Sequence, residues 1–211
     1  MSSLTIVPHQ LDTASISGFA CKIFHRAPLL ARIRLQLRSY FSPMHRLVAL
    51  VPQHASVLDA GCGNGLFLAL LAAMGTEGNL VGFDGSLSAI ECAKQMQQEL
   101  DEQGCPANLS FKHREKLEAW PRGEFNVVSL LDYLPSVPIQ HQGKVFRSAL
   151  DHLAPGGLLL YKHVATIFDS NAAELAQVQQ WARVFDLKIT HQESLKGICC
   201  SHEIIGFRKP I

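Results

Sequence analysis

The residues Val57-Leu58-Asp59-Ala60-Gly61-Cys62-Gly63-Asn64-Gly65 carry the strongest structural signal in this chain. A short apolar run meets an acidic residue, glycines then alternate with other residues, and the apolar segment Leu66 to Leu71 follows. Alternate glycines allow a tight turn from a strand into a helix, and they let the backbone come close to a ligand. A second apolar run, Asn79 to Phe83, ends in Asp84, whose carboxylate can accept both hydroxyls of a ribose. Together the two features predict a site for a cofactor that contains a nucleoside.

The spacing of the glycines distinguishes between such cofactors. A dinucleotide site requires Gly-x-Gly-x-x-Gly, because the third glycine lets the helix pack tightly on the strand. Leu66 stands at that third position, and the glycine comes one residue earlier, at Gly65. Asp59 would repel a pyrophosphate but would favour the ammonium and sulfonium groups of S-adenosylmethionine. The pattern therefore favours S-adenosylmethionine, with an NAD-dependent oxidoreductase or a plain glycine-rich turn as the weaker alternatives.

Five segments, in order along the chain, resemble the class I S-adenosylmethionine-dependent methyltransferases. They are Val57 to Gly65 (first motif), Gly82 to Ser86 (acidic end of the second strand), Phe111 to Glu115 (adenine side), Phe125 to Val137 (fourth strand) and Leu153 to Leu160 (the loop before the fifth strand and that strand). The match runs from about Ser56 to the C-terminus. It implies an α/β fold, a Rossmann-like doubly wound sheet of seven strands that is mostly parallel, with an antiparallel last strand.

The resemblance, together with the tendency of ligands to bind beyond the carboxyl ends of parallel strands, assigns the cofactor site. The methionine end is expected near Asp59 and the glycines, the ribose on Asp84, and the adenine near Glu115 and Lys116. Asp132 is expected either to line the pocket near the methionine end or to cap the next loop. The full predicted set is Asp59, Gly61, Cys62, Gly63, Gly65, Asp84, Gly85, Ser86, Glu115, Lys116, Leu131 and Asp132.

The rest of the chain alternates between strand and helix patterns, which predicts helices on both faces of a mostly parallel sheet. Strands are predicted near 56–59, 80–83, 108–112, 125–131, 158–163, 187–192 and 202–208, and helices near 65–74, 86–102, 141–152 and 171–185. Ser86 is the predicted N-cap of the second helix, and Gly104 stands just past its end. Lys196-Gly197 suits a turn. Residues 56–211 are predicted to form the cofactor-binding domain, and residues 1–55 an N-terminal helical segment on the acceptor side.

The expected reaction is in-line displacement of the sulfonium, to which an enzyme contributes largely by positioning. His163, predicted to follow the fifth strand, and Tyr133 are the candidate catalytic residues, with His141 as a further polar candidate. The alternative for each is a polar side chain that only lines a cleft. The chain lacks Asn/Asp-Pro-Pro-Tyr/Phe and Pro-Cys or Thr-Cys after the fourth strand, which argues against nucleic-acid methylation. O-, N- and C-methylation of small molecules all stay open.

Composition agrees with a single enzyme domain. The chain has 211 residues, of which 47% are hydrophobic, and a net charge of +1, so nothing suggests general attraction to nucleic acid. Its six cysteines lack metal-ligand spacing, which predicts reduced thiols, no metal site and a cytoplasmic location. The sequence shows neither a membrane-span pattern nor a signal peptide.

The N-terminal segment has an unusual charge pattern. Cys21 to Leu50 contains basic residues but no acidic ones, with Arg34 and Arg38 on one helical face. An apolar stripe at helical spacing accompanies them and comprises Leu29, Leu30, Ile33 and Leu37. This segment is either a lid helix with a solvated basic face or a docking surface for an acidic partner, such as a carrier-protein-bound acyl chain, an anionic lipid surface or RNA.

The leading hypothesis is therefore a methyltransferase acting on a small-molecule or carrier-tethered acceptor. The alternative is a methyltransferase-like binding protein that does not catalyse a reaction.

Overall fold

The computed structural model describes residues 11–27, 29, 32–33, 42–105, 107–115, 118–166, 172–196 and 200–211. The chain divides into two compact units, Met1–Glu115 and Lys116–Ile211. In the first unit the elements are α1 (Thr13–Ile23), α2 (Met44–Ala49), β1 (Val57–Ala60), α3 (Leu66–Ala73), β2 (Leu80–Asp84), α4 (Leu87–Glu102) and β3 (Leu109–His113). In the second they are β4 (Phe125–Leu131), a 3₁₀ turn (Leu134–Ser136), α5 (Ile139–Asp151), β5 (Leu153–Thr166), α6 (Ala172–Val184), β6 (Lys188–Lys196) and β7 (Cys200–Arg208).

The strands form one seven-stranded sheet in the order β3-β2-β1-β4-β5-β7-β6. In the first unit β1 pairs parallel with β2, and β2 pairs parallel with β3. In the second unit β4 and β5 are parallel, whereas β7 runs antiparallel to both of its neighbours, β5 and β6. The predicted fold class, a mostly parallel seven-stranded sheet with an antiparallel last strand, is confirmed.

Burial explains the first strand and the helix after it. All residues of β1 are buried, and so are all residues of α3, which reads as a continuous apolar run. Strands of parallel sheets covered on both faces show such runs because neither face meets water. The three-dimensional structure thus places the glycine-rich turn between two fully buried elements.

The next helix, α4, has the predicted boundaries. Ser86 caps its N-terminus, where the hydroxyl Oγ accepts a hydrogen bond from the Ala89 N–H at 3.3 Å. At the C-terminus Gly104 adopts a left-handed φ of 74°, and the Cys105 N–H bonds back to the Leu100 carbonyl at 3.0 Å. These caps fix where α4 begins, immediately after the acidic end of β2.

The helix α1 packs on α2 and α4. Its buried face comprises Ile16, Phe19, Ala20 and Ile23. Just past its end, Arg26 forms ion pairs with Glu102 at 2.9 Å and Glu99 at 3.5 Å, both in the last turn of α4. A helix rises about 1.5 Å per residue, so Glu99 lies about 20 Å along α4 from Ser86. Arg26 is therefore attached to the end of α4 that is remote from Asp84.

The predicted basic helix is described only in part. Arg34 and Arg38, like Leu30 and Leu37, lie outside the described residues. The described apolar members of the stripe, Leu29 and Ile33, are 68% and 42% exposed.

The fifth strand is longer than predicted at both ends. It begins at Leu153, which pairs with Phe125 before the register shifts, although the Pro155-Gly156-Gly157 segment predicted a loop. It continues past residue 163 to Thr166 because β7 pairs with it as far as Cys200. The strand β6 likewise runs to Lys196, so that residue belongs to a strand, and Gly197 lies outside the described residues. Among the described residues, no helix has both the length and the apolar character required to cross a membrane.

Candidate active site

The carboxylate of Asp84 is the centre of the predicted cofactor site in the first unit. Its Oδ2 accepts a hydrogen bond from the Gly63 N–H at 2.9 Å, and its Oδ1 accepts one from the Ser86 N–H at 2.8 Å. Each carboxylate oxygen has a second acceptor site, so the group retains capacity for two ligand hydroxyls. The two backbone bonds hold the carboxylate in a fixed orientation at the carboxyl end of β2.

The glycine-rich turn uses its own N–H groups internally. The N–H groups of Gly61 and Cys62 both donate to the Phe83 carbonyl, at 2.9 and 3.0 Å, and that of Gly65 donates to the Cys62 carbonyl at 3.0 Å. Pyrophosphate sites depend on backbone N–H groups that are free to bind the ligand. These three N–H groups are therefore not available to a ligand, whereas the first N–H groups of α3 have no partner within the helix.

Gly65 shows why a side chain is excluded from the turn. Its φ is +80°, and a Cβ there would lie 2.6 Å from Cζ of Phe111 and 3.0 Å from Cε of Met96. Both the backbone conformation and the space require glycine. This explains why the third glycine of the pattern stands at 65 rather than at 66.

The side chain of Cys62 packs against β2. It is buried, and a Cβ on Gly82 of β2 would lie 2.9 Å from its Sγ. Asp59, in the same segment, is 2% exposed and lies within β1, one residue before that strand ends.

The predicted adenine side lies beside the end of β2. A Cβ on Gly85 would lie 3.5 Å from Oε2 of Glu115, so the two residues are neighbours. His113 supports this corner, since its Nε2 lies 3.0 Å from the Gly85 carbonyl and 3.8 Å from Oε1 of Glu115. The Glu115 side chain is exposed, and Lys116 lies outside the described residues.

In the second unit, Asp132 follows the buried last residue of β4, Leu131. Asp132 has a left-handed φ of 59°, and its N–H donates to the Lys162 carbonyl at 3.0 Å. Nζ of Lys162, an almost fully buried side chain, donates to Oδ2 of Asp132, whereas Oδ1 is buried and has no hydrogen-bond partner among the described residues. A strained, partly unsatisfied carboxylate at a strand end is a feature that functional sites often show. Sequence reasoning missed Lys162, because an isolated lysine in an apolar strand gives no signal of its partner.

The two candidate catalytic residues are both buried. Tyr133 packs edge-on against Trp120 with ring centroids 6.5 Å apart. His163 is 1% exposed and lies inside β5 rather than after it, because the strand extends to Thr166. Its Nδ1 lies 3.4 Å from Oε1 of Glu174 on α6, a residue that the sequence analysis did not identify.

In this part of the second unit, the phenol of Tyr161 has a shifted pKa. Burial, and then the adjacent carboxylate of Glu174, raises the pKa of the Tyr161 phenol well above its ordinary value. The phenol therefore stays protonated, and it donates a hydrogen bond to Oε1 of Glu174 at 2.8 Å.

The fold is Rossmann-like, and the family comparison defines the class of protein. Residues 31–199 match the family model described as a methyltransferase domain. The chain belongs to this family and is a class I S-adenosylmethionine-dependent methyltransferase, with S-adenosylmethionine as its cofactor. No curated protein matches the chain in sequence.

Solved structures share the fold at low sequence identity. An O-methyltransferase family protein from Burkholderia thailandensis has a TM-score of 0.64 at 16% identity over 85% of this chain. The chain spans only 59% of that protein. The N-methyltransferase NodS from Bradyrhizobium japonicum, in complex with S-adenosylhomocysteine, has a TM-score of 0.62 at 18% identity, with coverage of 80% of this chain and 89% of NodS. The [4+2]-cyclase SpnF has a TM-score of 0.60 at 17% identity, and the match covers 79% of this chain and 81% of SpnF.

Proposed function

We propose that this methyltransferase transfers the methyl group of S-adenosylmethionine to a small-molecule or carrier-tethered acceptor by in-line displacement. The observation that carries the proposal is the Asp84 carboxylate, which the N–H groups of Gly63 and Ser86 hold at the end of β2. A carboxylate oriented in this way is suited to the hydroxyls of a ribose.

The residues of the first unit fit an adenosyl cofactor. We assign the ribose hydroxyls to Asp84, the adenine to the corner formed by Gly85 and Glu115, and the methionine end to the segment from Asp59 to Gly65. When bound, the cofactor supplies a methyl group on an activated leaving group, so the protein contributes mainly orientation.

The acceptor side is assigned to the second unit. Two of the residues, Asp132 and Tyr133, follow β4, and His163 lies near the carboxyl end of β5. Ligands of such sheets bind beyond the carboxyl ends of the strands. The neighbours named as O- and N-methyltransferases are compatible with either kind of acceptor. The absence of the sequence signatures of nucleic-acid methylation favours a small or carrier-tethered molecule.

One observation favours a second function. A protein with the same fold is named a [4+2]-cyclase, and a fold alone does not determine the reaction that it supports. A protein that binds the cofactor without transferring its methyl group is therefore the alternative. The intact turn and Asp84 favour methyl transfer, because a protein that no longer catalyses the reaction typically loses such residues.

We further propose that residues 1–55 form an acceptor-side segment distinct from the cofactor domain at 56–211. The exposure of Leu29 and Ile33 beside Arg32 supports a docking surface for an acidic carrier, which would contact apolar and basic groups together. The charge reversal of Arg34→Glu with Arg38→Glu should leave cofactor affinity unchanged and weaken turnover with a carrier-bound acceptor. Equal turnover by the variant would exclude this docking surface.

Calorimetric titration with S-adenosylmethionine, S-adenosylhomocysteine and NAD tests the cofactor assignment. We expect the two adenosyl compounds to bind and NAD not to bind. Asp84→Ala should weaken S-adenosylmethionine binding more than about 100-fold, because two hydrogen bonds to a charged group contribute about 3 kcal/mol or more. Asp101→Ala, the same change at an exposed position of α4, is the matched control and should bind as the unchanged protein does.

Two results would contradict the proposal. Normal binding by a folded Asp84→Ala variant would show that the ribose site is elsewhere. Binding of S-adenosylmethionine without transfer of a radiolabelled methyl group to any small-molecule or carrier-bound acceptor tested would favour the non-catalytic alternative.

A further inference from the structure

The strand β6 forms one edge of the sheet in the second unit. It stands last in the strand order, and β7 pairs with it on one side. Among the described residues, no strand pairs with its other side. A strand with one unpaired side presents a row of N–H and C=O groups to which a further strand can bind.

The part of β6 that can accept another strand extends from His191 to Lys196. Its pairing with β7 is regular there, whereas a register shift lies between Ile189 and His191. This segment contains neither proline nor glycine, and its side chains alternate between half-buried and exposed. Proline and irregular pairing are two devices that protect edge strands from other chains. In β6 the register shift therefore protects only the first residues of the strand.

Two charged side chains give this segment a self-complementary pattern. His191 and Glu193 are two residues apart on one strand, so their side chains share a face and flank Gln192. When two copies of the strand pair antiparallel about Gln192, the histidine of each copy lies directly opposite the glutamate of the other. A two-fold axis repeats every contact, so the pairing brings two imidazoles and two carboxylates together in two equal pairs.

Other registers lack this complementarity. A pairing centred on Glu193 would place two carboxylates directly opposite each other, and one centred on His191 would do the same with two imidazoles. A pairing centred on Ser194 would place each glutamate opposite Leu195. Opposite charges across a strand pair stabilise it, and like charges directly opposite destabilise it. The charges therefore select the register centred on Gln192.

The ring of His191 has an unsatisfied atom that this register can serve. Its Nε2 lies 3.6 Å from Oε2 of Glu193 in the same chain, and this buried atom has no hydrogen-bond partner among the described residues. The side chain as a whole is 33% exposed, so a partner can reach the ring. Directly opposite residues of antiparallel strands have Cα atoms about 4.5–5.5 Å apart. A glutamate from a second copy would therefore lie beside the imidazole.

The lysines at the two ends of β6 do not conflict with this pairing. Lys188 pairs with Arg208 of β7, and Lys196 pairs with Ser201. Arg208 and Ser201 are an odd number of residues apart, so their side chains lie on opposite faces of β7. The two lysines consequently lie on opposite faces of the sheet, and the antiparallel pairing does not bring them together.

We propose that two copies of this chain form a dimer through their β6 strands, paired antiparallel about Gln192. Backbone hydrogen bonds supply the attraction, as in other cases of strand addition to a sheet edge. His191 and Glu193 set the register. The dimer does not depend on the methyl-transfer function proposed above, because its contacts lie in β6 alone.

Disulfide cross-linking tests the register. The two copies of residue 192 face each other at the axis, and their Cα spacing of about 4.5–5.5 Å suits a disulfide. Gln192→Cys should therefore give a covalent dimer under mild oxidation. Ser194→Cys, also at an exposed position of β6, is the matched control. Its two copies would be about 14 Å apart along the strands and should not cross-link. The unchanged protein, with its six native cysteines, gives the background.

Analytical ultracentrifugation tests the role of the charges. The unchanged protein should sediment as a dimer, and Glu193→Lys should weaken that dimer about tenfold or more, because it places a lysine opposite each histidine. His191→Glu combined with Glu193→Lys restores opposite charges in the same register and should recover the dimer. Glu124→Lys, the same change at an exposed position outside β6, is the matched control and should have no effect.

Three results would overturn this inference. They are a monomeric unchanged protein, equal effects of Glu193→Lys and Glu124→Lys on the dimer, and equal cross-linking at positions 192 and 194. Glu193→Gln, which keeps the volume and removes the charge, guards against a loss of folding in Glu193→Lys. It should also weaken the dimer, and a dimer of unchanged stability in that variant would count against the proposed pairing.

Discussion

Replacement of Gly65 by alanine tests the most constrained point of the glycine-rich turn. The substitution adds one methyl group at a residue whose φ is +80°, and that methyl would lie 2.6 and 2.7 Å from two ring atoms of Phe111. Phe111 is itself buried in β3, so its ring cannot move aside without displacing the core. Two separate costs, backbone strain and overpacking, therefore add at one position.

Both costs can be estimated. The left-handed conformation costs an alanine about 1–2 kcal/mol, and an extra methyl group in a packed core costs about 1–3 kcal/mol. Gly65→Ala should thus lower the free energy of unfolding by about 2–5 kcal/mol. Gly75 is the matched control, because its φ is +79° but nothing lies within 4 Å of the position that a Cβ would occupy. Gly75→Ala should cost about 1–2 kcal/mol, the strain alone.

Denaturant unfolding of the two variants gives the measurement. We expect Gly65→Ala to unfold at a clearly lower denaturant concentration than Gly75→Ala, with the slope m unchanged in both. In thermal unfolding, each kcal/mol should correspond to about 2–4 °C in a chain of this size. Equal destabilisation by the two substitutions would refute the steric contact with Phe111 and leave only the backbone argument.

Three further predictions concern ion pairs and protonation. Lys162→Met should lower the free energy of unfolding by about 3 kcal/mol, because the carboxylate of Asp132 loses its buried ion-pair partner. Adding Asp132→Asn should recover part of that loss in the same denaturation assay. The pKa of Tyr161 is raised from 10.0 by burial and then by Glu174, so this phenol stabilises the fold below about pH 10. That stability is lost as the pH rises further, and an alkaline stability profile of Tyr161→Phe should be flatter. Arg26→Ala should change the calorimetric affinity for S-adenosylmethionine by less than about twofold, because Arg26 contacts the end of α4 that is remote from Asp84. A tenfold change would contradict that position.

The sequence predicted most accurately those strands and helices whose structure is determined by local residue patterns. β1, β2 and β4 are short buried runs, and the helix α4 has recognisable caps in Ser86 and Gly104. For these elements, residues close in sequence decide the structure. The seven-stranded sheet and its antiparallel last strand came from family resemblance, since no local pattern shows that β7 lies between β5 and β6.

The sequence predictions were wrong for segments whose structure depends on strand pairing with residues that are distant in sequence. The segment at Pro155 and Gly156 has the composition of a loop, yet Leu153 is held in β5 by its pairing with Phe125. His163 was predicted to follow the strand, yet β7 pairs with β5 beyond it. The roles of the cofactor and catalytic residues stay predictions.

Glu174 shows a further limit of sequence reasoning. It is separated from Tyr161 by 13 residues and belongs to another element, so no spacing rule connects the two. A glutamate in the first turn of a helix is also common for reasons of helix stability alone.

The internal hydrogen bonding of the glycine turn has a consequence for the kinetics and thermodynamics of cofactor binding. Because the N–H groups of Gly61, Cys62, Gly63 and Gly65 are already bonded within the chain, the turn does not have to fold when the cofactor arrives. Binding then carries little of the entropic cost of ordering a loop. The amide protons of these residues should exchange slowly even in the free protein, and the cofactor should add little to their protection. At the proposed site the cofactor therefore meets a rigid surface, and we expect adaptation to the acceptor to come from elsewhere in the chain.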